Sequence, residues 1–136
     1  MNTSLYRLFI AGSRQATPAM LRIAYRAVQR AKENGWSILV GDNPRGVDAA
    51  VVRACDQLGV DVTVIGITRR PRNGGSHRST SRYICYQTTS YTQRDRYLAG
   101  MGNRGLFIWN GASRGTKAAH DYMDTLNKPV HLMIPR

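Results

Sequence analysis

Apolar positions along this chain keep two rhythms that alternate, a short continuous run and a longer helical spacing. Residues 6–11 form an apolar run that ends in Gly12-Ser13-Arg14, and Thr17 followed by Pro18 reads as an N-cap with proline in the first helical turn. From residue 18 to residue 34, Met20, Ile23, Ala24, Ala27, Val28 and Ala31 keep helical spacing, Arg22, Arg26, Arg30 and Lys32 fall largely on the other side, and Gly35 closes the helix. The cycle then repeats. Residues 37–40 predict a second strand, Gly41-Asp42-Asn43-Pro44-Arg45-Gly46 a loop, and residues 47–58 a helix closed by Gly59. Residues 60–67, rich in β-branched side chains, predict a third strand of the kind covered by helices on both faces.

Over residues 68–82 the periodicity collapses into arginines (69, 70, 72, 78 and 82), Gly74-Gly75 and serines, which reads as a long mobile loop within one domain. Residues 83–86 suggest a brief extra strand and 90–101 a helix; 106–109 predict a further strand, 116–126 a helix and 130–134 a last strand. Strands alternating with helices imply one α/β domain over residues 1–136, Rossmann-like and three-layered, with a mainly parallel sheet of about five strands. In such sheets ligands bind beyond the carboxyl ends of the strands, where strand order reverses.

Charge narrows the class of partner. Twenty Lys and Arg against eight Asp and Glu give a formal net charge of +12, mostly from arginine, whose planar fork binds phosphate oxygens in pairs. Cys55 and Cys85 lack the spacing of a zinc site or a disulfide framework, and His77, His120 and His131 are scattered, so no metal and no cofactor is assigned. The apolar start is too short for a secretion signal or a membrane span, and a cytosolic protein is expected.

Three loops that follow strands carry the residues through which backbone N–H groups approach an anion. They are Gly12-Ser13-Arg14, the stretch from Gly41 through Arg45 and Gly46, and Asn110-Gly111-Ala112-Ser113-Arg114-Gly115-Thr116. Glycine permits close approach, the hydroxyls donate to phosphate oxygens, and the helix that follows adds its positive end. Trp109 is placed to wall the pocket or stack on a base, Thr116 to bind phosphate or to cap its helix, and Asp48 to receive a ribose hydroxyl or to hold Arg45. Arg94, Asp95 and Arg96 form a charged cluster that is either a solvated face or a phosphate contact. Ser13, Ser113 and Cys85 lack an identifiable base and orienting partner, so no nucleophilic triad is assigned.

The loops Ala11-Gly12-Ser13-Arg14, Gly41 through Gly46-Val47-Asp48-Ala49 and Trp109 to Thr116, with Arg94 to Tyr97 between the last two, resemble the SLOG superfamily of Rossmann-like nucleotide-binding proteins. That superfamily includes the Lonely Guy phosphoribohydrolases, DNA-processing protein A and sensors of nucleotide-derived signals. The resemblance implies a nucleotide or phosphorylated small molecule as ligand, nucleic acid as a further partner, and a homodimer or higher homo-oligomer. In the hydrolase branch the last loop is followed by a glutamate, at whose position this chain has Ala119; Asp48, Asp95 and Asp121 are the candidates to replace it. Three functions follow: a nucleotide sensor or sequestering module, a nucleoside-phosphate N-glycosidase, and a single-stranded nucleic-acid-binding protein that uses the basic loop and Tyr83, Tyr86 and Tyr91.

Overall fold

The computed structural model describes residues 6–73 and 81–135. Their order is β1 (Arg7–Gly12), α1 (Pro18–Asn34), β2 (Ser37–Gly41), α2 (Gly46–Leu58), β3 (Val62–Gly66), β4 (Ser81–Cys85), α3 (Tyr91–Met101), β5 (Arg104–Ile108), α4 (Arg114–Thr125) and β6 (Val130–Met133). All six strands join one parallel sheet in the order β4-β3-β2-β1-β5-β6. The sheet thus has one strand more than the five clear runs suggested. The brief extra strand is β4, which pairs along β3 from Ser81 opposite Val62 to Cys85 opposite Gly66.

Side chains alternate across each strand, and this alternation divides the core. Leu8 and Ile10 of β1, Ile38 and Val40 of β2, and Val62 and Val64 of β3 pack with Met20, Ala24 and Val28 of α1 and Val51 and Val52 of α2. Phe9, Leu39, Ile65 and Phe107 face the other way, onto Leu98 and Ala99 of α3 and Ala119 and Met123 of α4. Phe9 and Phe107 meet edge to face, with centroids 5.5 Å apart. The result is three layers: α1 and α2, the sheet, then α3 and α4.

Thr17 accepts a hydrogen bond from the Met20 N–H at 3.2 Å, so α1 starts where its capping residue and proline place it. β3 begins at Val62, later than its apolar run, because the chain leaving α2 first closes the helix with a bond from the Val60 N–H to the Cys55 carbonyl (2.9 Å). Strand order moves outward from β1 in one direction through β2, β3 and β4 and in the other through β5 and β6. The carboxyl ends of β1 and β5 therefore flank a topological switch point, and the loops after both strands open there. Among the described residues no helix is long and apolar enough to cross a membrane.

Candidate functional site

Hydroxyl groups join the β1 and β5 loops across the switch point. The Ser13 N–H continues the sheet by bonding the Ile108 carbonyl (3.2 Å), while the buried Ser13 Oγ accepts from the Asn110 N–H (3.1 Å) and lies 2.8 Å from Ser113 Oγ. Ser113 Oγ in turn donates to Thr116 Oγ1 at 3.3 Å. With Ser13 donating to Ser113, the chain of hydroxyls is directional, and the Thr116 proton remains as its outward donor.

Asn110, Gly111 and Trp109 build this loop. The Asn110 carboxamide oxygen accepts from the Ala112 and Ser113 N–H groups, both at 2.9 Å, in an Asx turn that needs the positive φ of +85° at Gly111. The Trp109 indole N–H donates to the Ser113 carbonyl at 2.7 Å. Trp109 is therefore a brace for the loop and does not line the cavity that it was expected to wall. The Asx turn carries the chain into α4 at Arg114, with Ser113 at the N-cap, two residues earlier than the apolar pattern indicated. Thr116 is consequently not a cap but sits buried in the first turn. Ser113 makes no side-chain capping bond, so the N–H groups of Arg114, Gly115 and Thr116 have no partner within the helix.

The opposite wall is an arginine-carboxylate network. Asp42, which directly follows β2, is fully buried and accepts from the Arg72 N–H (3.0 Å), Nε (3.1 Å) and Nη2 (2.9 Å) and from Arg94 Nη1 (3.0 Å). Arg94 Nη1 also reaches the Ile65 carbonyl (2.8 Å), and its Nε donates to Asp95 Oδ1 (2.8 Å). Asp48 Oδ2 accepts from the Asn43 N–H at 3.2 Å. Tyr91 lies under both guanidinium groups, its ring centroid 4.2 Å from Arg72 Cζ and 4.9 Å from Arg94 Cζ.

Glycine serves packing at this edge. A Cβ on Gly41 would lie 2.8 Å from Asp48 Oδ2 and 3.0 Å from Arg94 Cζ, so its absence admits the network against the strand end. Gly46 holds φ +70°, and a Cβ there would meet the Ser13 carbonyl oxygen at 2.2 Å, where the start of α2 presses on the β1 loop. A Cβ on Gly12 would likewise meet Val47 at 2.4 Å, whereas one on Gly115 would meet nothing within 4 Å.

Burial sets the electrostatics. It pushes the Asp48 carboxyl up to about 7 against the opposing pull of Arg94, and it raises Asp95 in the same way. Burial would raise Asp42 too, but hydrogen bonds and charge from Arg72, with the charge of Arg94, hold it below the usual carboxylate range. Burial works against the Arg94 cation, yet Asp95, Asp48 and Asp42 together hold its pKa above the ordinary value. Near neutral pH Asp48 is thus a group able to give or take a proton beside a fixed cation.

These walls enclose a cavity of about 410 Å³. Gly12, Ser13 and Arg14 line it from β1, Gly41, Asn43 and Asp48 from the β2 side, Arg72, Tyr91, Arg94 and Asp95 from the network, and Ser113, Arg114, Gly115 and Thr116 from α4. A second cavity of about 550 Å³ adjoins it, sharing Arg14, Asn43, Arg72 and Ser113 and adding Arg45 and Asn110. Arg45 is exposed and Asp48 does not hold it; the Arg45 N–H instead bonds Asn43 Oδ1 at 3.2 Å.

The cluster of Arg94, Asp95 and Arg96 divides because successive helical residues point about 100° apart. Arg94 turns inward, whereas Arg96 is exposed and lies over the Tyr122 ring at 5.0 Å. Asp121 is bound to Lys117 and His120 on the outer side of α4, away from the cavity. The segment expected to be one mobile loop is divided too: Arg72 is pinned by Asp42, residues 81 and 82 belong to β4, and 74–80 lie outside the described residues. The sequence shows Asp42 and Asn43 only as members of the β2 loop, and Arg72 and Tyr91 only as part of a basic, aromatic stretch suited to nucleic acid; it assigns none of the four to this network. An acid directly after a strand of a parallel sheet is a usable signal for Asp42, while nothing in the aperiodic basic stretch distinguishes Arg72.

No family model matches the chain, and no curated protein does. Solved structures show a similar fold. The molybdenum cofactor binding protein of Rippkaea orientalis has a TM-score of 0.76 at 20% identity, over 93% of this chain and 75% of that one. The Moco carrier protein of Chlamydomonas reinhardtii gives 0.77 at 16% identity, over 96% and 77%. DNA processing protein A of Helicobacter pylori, described with a single-stranded DNA binding mode, gives 0.73 at 14% identity, over 96% and 66%. With a switch point between β1 and β5, onto which its Gly-Ser-Arg first loop opens, the chain has the Rossmann-like fold that these structures share.

Proposed function

We propose that this protein binds a nucleotide or nucleotide-derived ligand through its phosphate at the carboxyl edge of the sheet, as a sensor or sequestering module. The observation that carries this reading is the first turn of α4, where three N–H groups without helical partners, the terminal Thr116 hydroxyl and Arg14 and Arg114 share one cavity wall. Across the cavity, Asp48 and Asn43 offer hydrogen-bonding groups to a sugar, and Tyr91 offers an aromatic face. The neighbours of like fold are named for molybdenum cofactor and for single-stranded DNA, so the fold supports ligand binding without choosing the ligand.

A thermal-shift screen at fixed salt tests the proposal, using mononucleotides, cyclic and ADP-ribose-type nucleotides and a short oligonucleotide. A ligand at 100 times its Kd adds about 2.7 kcal/mol of apparent stability. Stabilisation by a small nucleotide, lost in Arg14→Ala and Arg114→Ala, is the expected outcome. A response to the oligonucleotide alone, unchanged in both variants, contradicts it.

Asp48 and Asp95 on the wall facing the phosphate loops favour a second reading, hydrolysis of a nucleoside-phosphate N-glycosidic bond. It predicts release of free base from a bound nucleoside monophosphate, abolished in Asp48→Asn while binding persists. Binding with no base released over hours leaves the module reading alone.

A further inference from the structure

We propose that a second surface, the outer face of α1 with the adjoining side of β5 and β6, binds single-stranded nucleic acid independently of the switch-point cavity. Arg22, Arg26 and Arg30 are exposed on α1 at four-residue spacing, which repeats a guanidinium about every 6 Å along the helix. A depression of about 400 Å³ runs beside Arg22, Tyr25 and Arg26. It shares Arg26 with a larger groove of about 620 Å³, whose rim carries Arg30, Arg104, Trp36 and His131 and whose floor is apolar. Among the described residues neither depression is lined by an aspartate or a glutamate, and the one acid of α1, Glu33, stands past Arg30 at the helix end. The ion pairs of Asp42, Asp95 and Asp121 are made with Arg72, Arg94, Lys117 and His120, none of which lies here.

Cations interleaved with rings are what a flexible polynucleotide needs, since arginines track its phosphates and aromatic faces take its bases. Tyr25 is exposed and presents its ring to a base, while Trp36, whose ring lies 4.8 Å from Tyr6 and 5.5 Å from the Arg104 guanidinium, holds that cation at the groove rim. Other occupants fit less well. A second copy joined by a two-fold axis would set these arginines against themselves. An acidic peptide would satisfy the charge and leave the rings unused. A bilayer would require several exposed large apolar side chains, and on this α1 face the one such residue is Tyr25.

The test is fluorescence anisotropy of a labelled 20-nucleotide single strand, read against salt. Proteins compared are the wild type, the combined Arg22→Ala, Arg26→Ala, Arg30→Ala variant, and the Arg14→Ala, Arg114→Ala variant. Alanine preserves an exposed helix, and thermal melts verify that each variant is folded. The α1 variant is expected to lose at least about 10-fold in affinity and to flatten the log-log salt slope by about 2, as the loss of three phosphate contacts implies. The Arg14 and Arg114 variant is expected to bind the strand within about two-fold of wild type. Unchanged affinity in the α1 variant would overturn the proposal. So would loss confined to the Arg14 and Arg114 variant, or equal affinity for a duplex of the same length.

Discussion

Asp48 is a carboxyl group that folding makes a weaker acid, and the sign of its contribution to stability follows. Its pKa rises from 3.8 to about 7 on burial, so the folded chain keeps a proton that the unfolded chain releases. Stability therefore falls as pH climbs from about 4 to about 7. Asp48→Asn removes this penalty, and its melting temperature should gain on wild type across that interval; parallel melting curves against pH would show an ordinary carboxylate. Asp42 acts in the opposite sense, since its depressed pKa gives stability that is present above 3.8 and lost as pH falls through the folded value. Arg94 ties both groups to Asp95. Arg94→Ala leaves Asp95 without its cation and Asp42 with Arg72 alone, and should cost about 3 kcal/mol in urea unfolding. Arg94→Lys should recover little, because one ammonium cannot reproduce the bonds that Nη1 and Nε make to Asp42, Ile65 and Asp95. A loss below about 1 kcal/mol for Arg94→Ala would remove the network from this account.

At the scale of elements, the starts of α2 and α4 position the cavity while α1 closes the layer behind it. Gly46→Ala forces a side chain into a positive φ and against the Ser13 carbonyl. It should lower stability and abolish nucleotide-dependent stabilisation, both read in the same thermal-shift assay. Thr17→Ala removes the α1 cap and should cost about 1 kcal/mol while leaving the nucleotide response intact, because that cap lies away from the cavity. Equal loss of ligand response in both variants would mean that the β1 loop holds no special place. The legibility of the elements follows the same physics. Helix α1 carries its cap, its proline and a regular apolar stripe within its own sequence, and its observed ends match those read from it. Strand β4 is a half-buried edge strand whose residues show no alternation, so only a brief strand near its position was visible. Helix α4 starts early because of the Asn110 side chain, a local bond that apolar periodicity does not report.

For the whole molecule, the reversal of strand order at β1 brings together loops separated by about a hundred residues of sequence. The three glycine-containing loops were legible because each follows a strand in a repeating pattern. Of the opposing wall, Asp48 and Arg94 are named from the sequence, whereas Asp42, Arg72 and Tyr91 are not placed there, because they meet only in the folded chain, through contacts that span up to 30 residues. A phosphate site at the switch point is tested most directly by a backbone amide NMR titration of the labelled protein with a nucleoside monophosphate and, separately, with the same nucleoside lacking phosphate. The nucleotide should shift the amides of Ser13, Arg14, Arg114, Gly115 and Thr116 at saturation, and the nucleoside should leave these five nearly still. Shifts confined to Arg22, Arg26 and Arg30, or equal shifts at the α4 turn with both compounds, would contradict a phosphate site at the switch point.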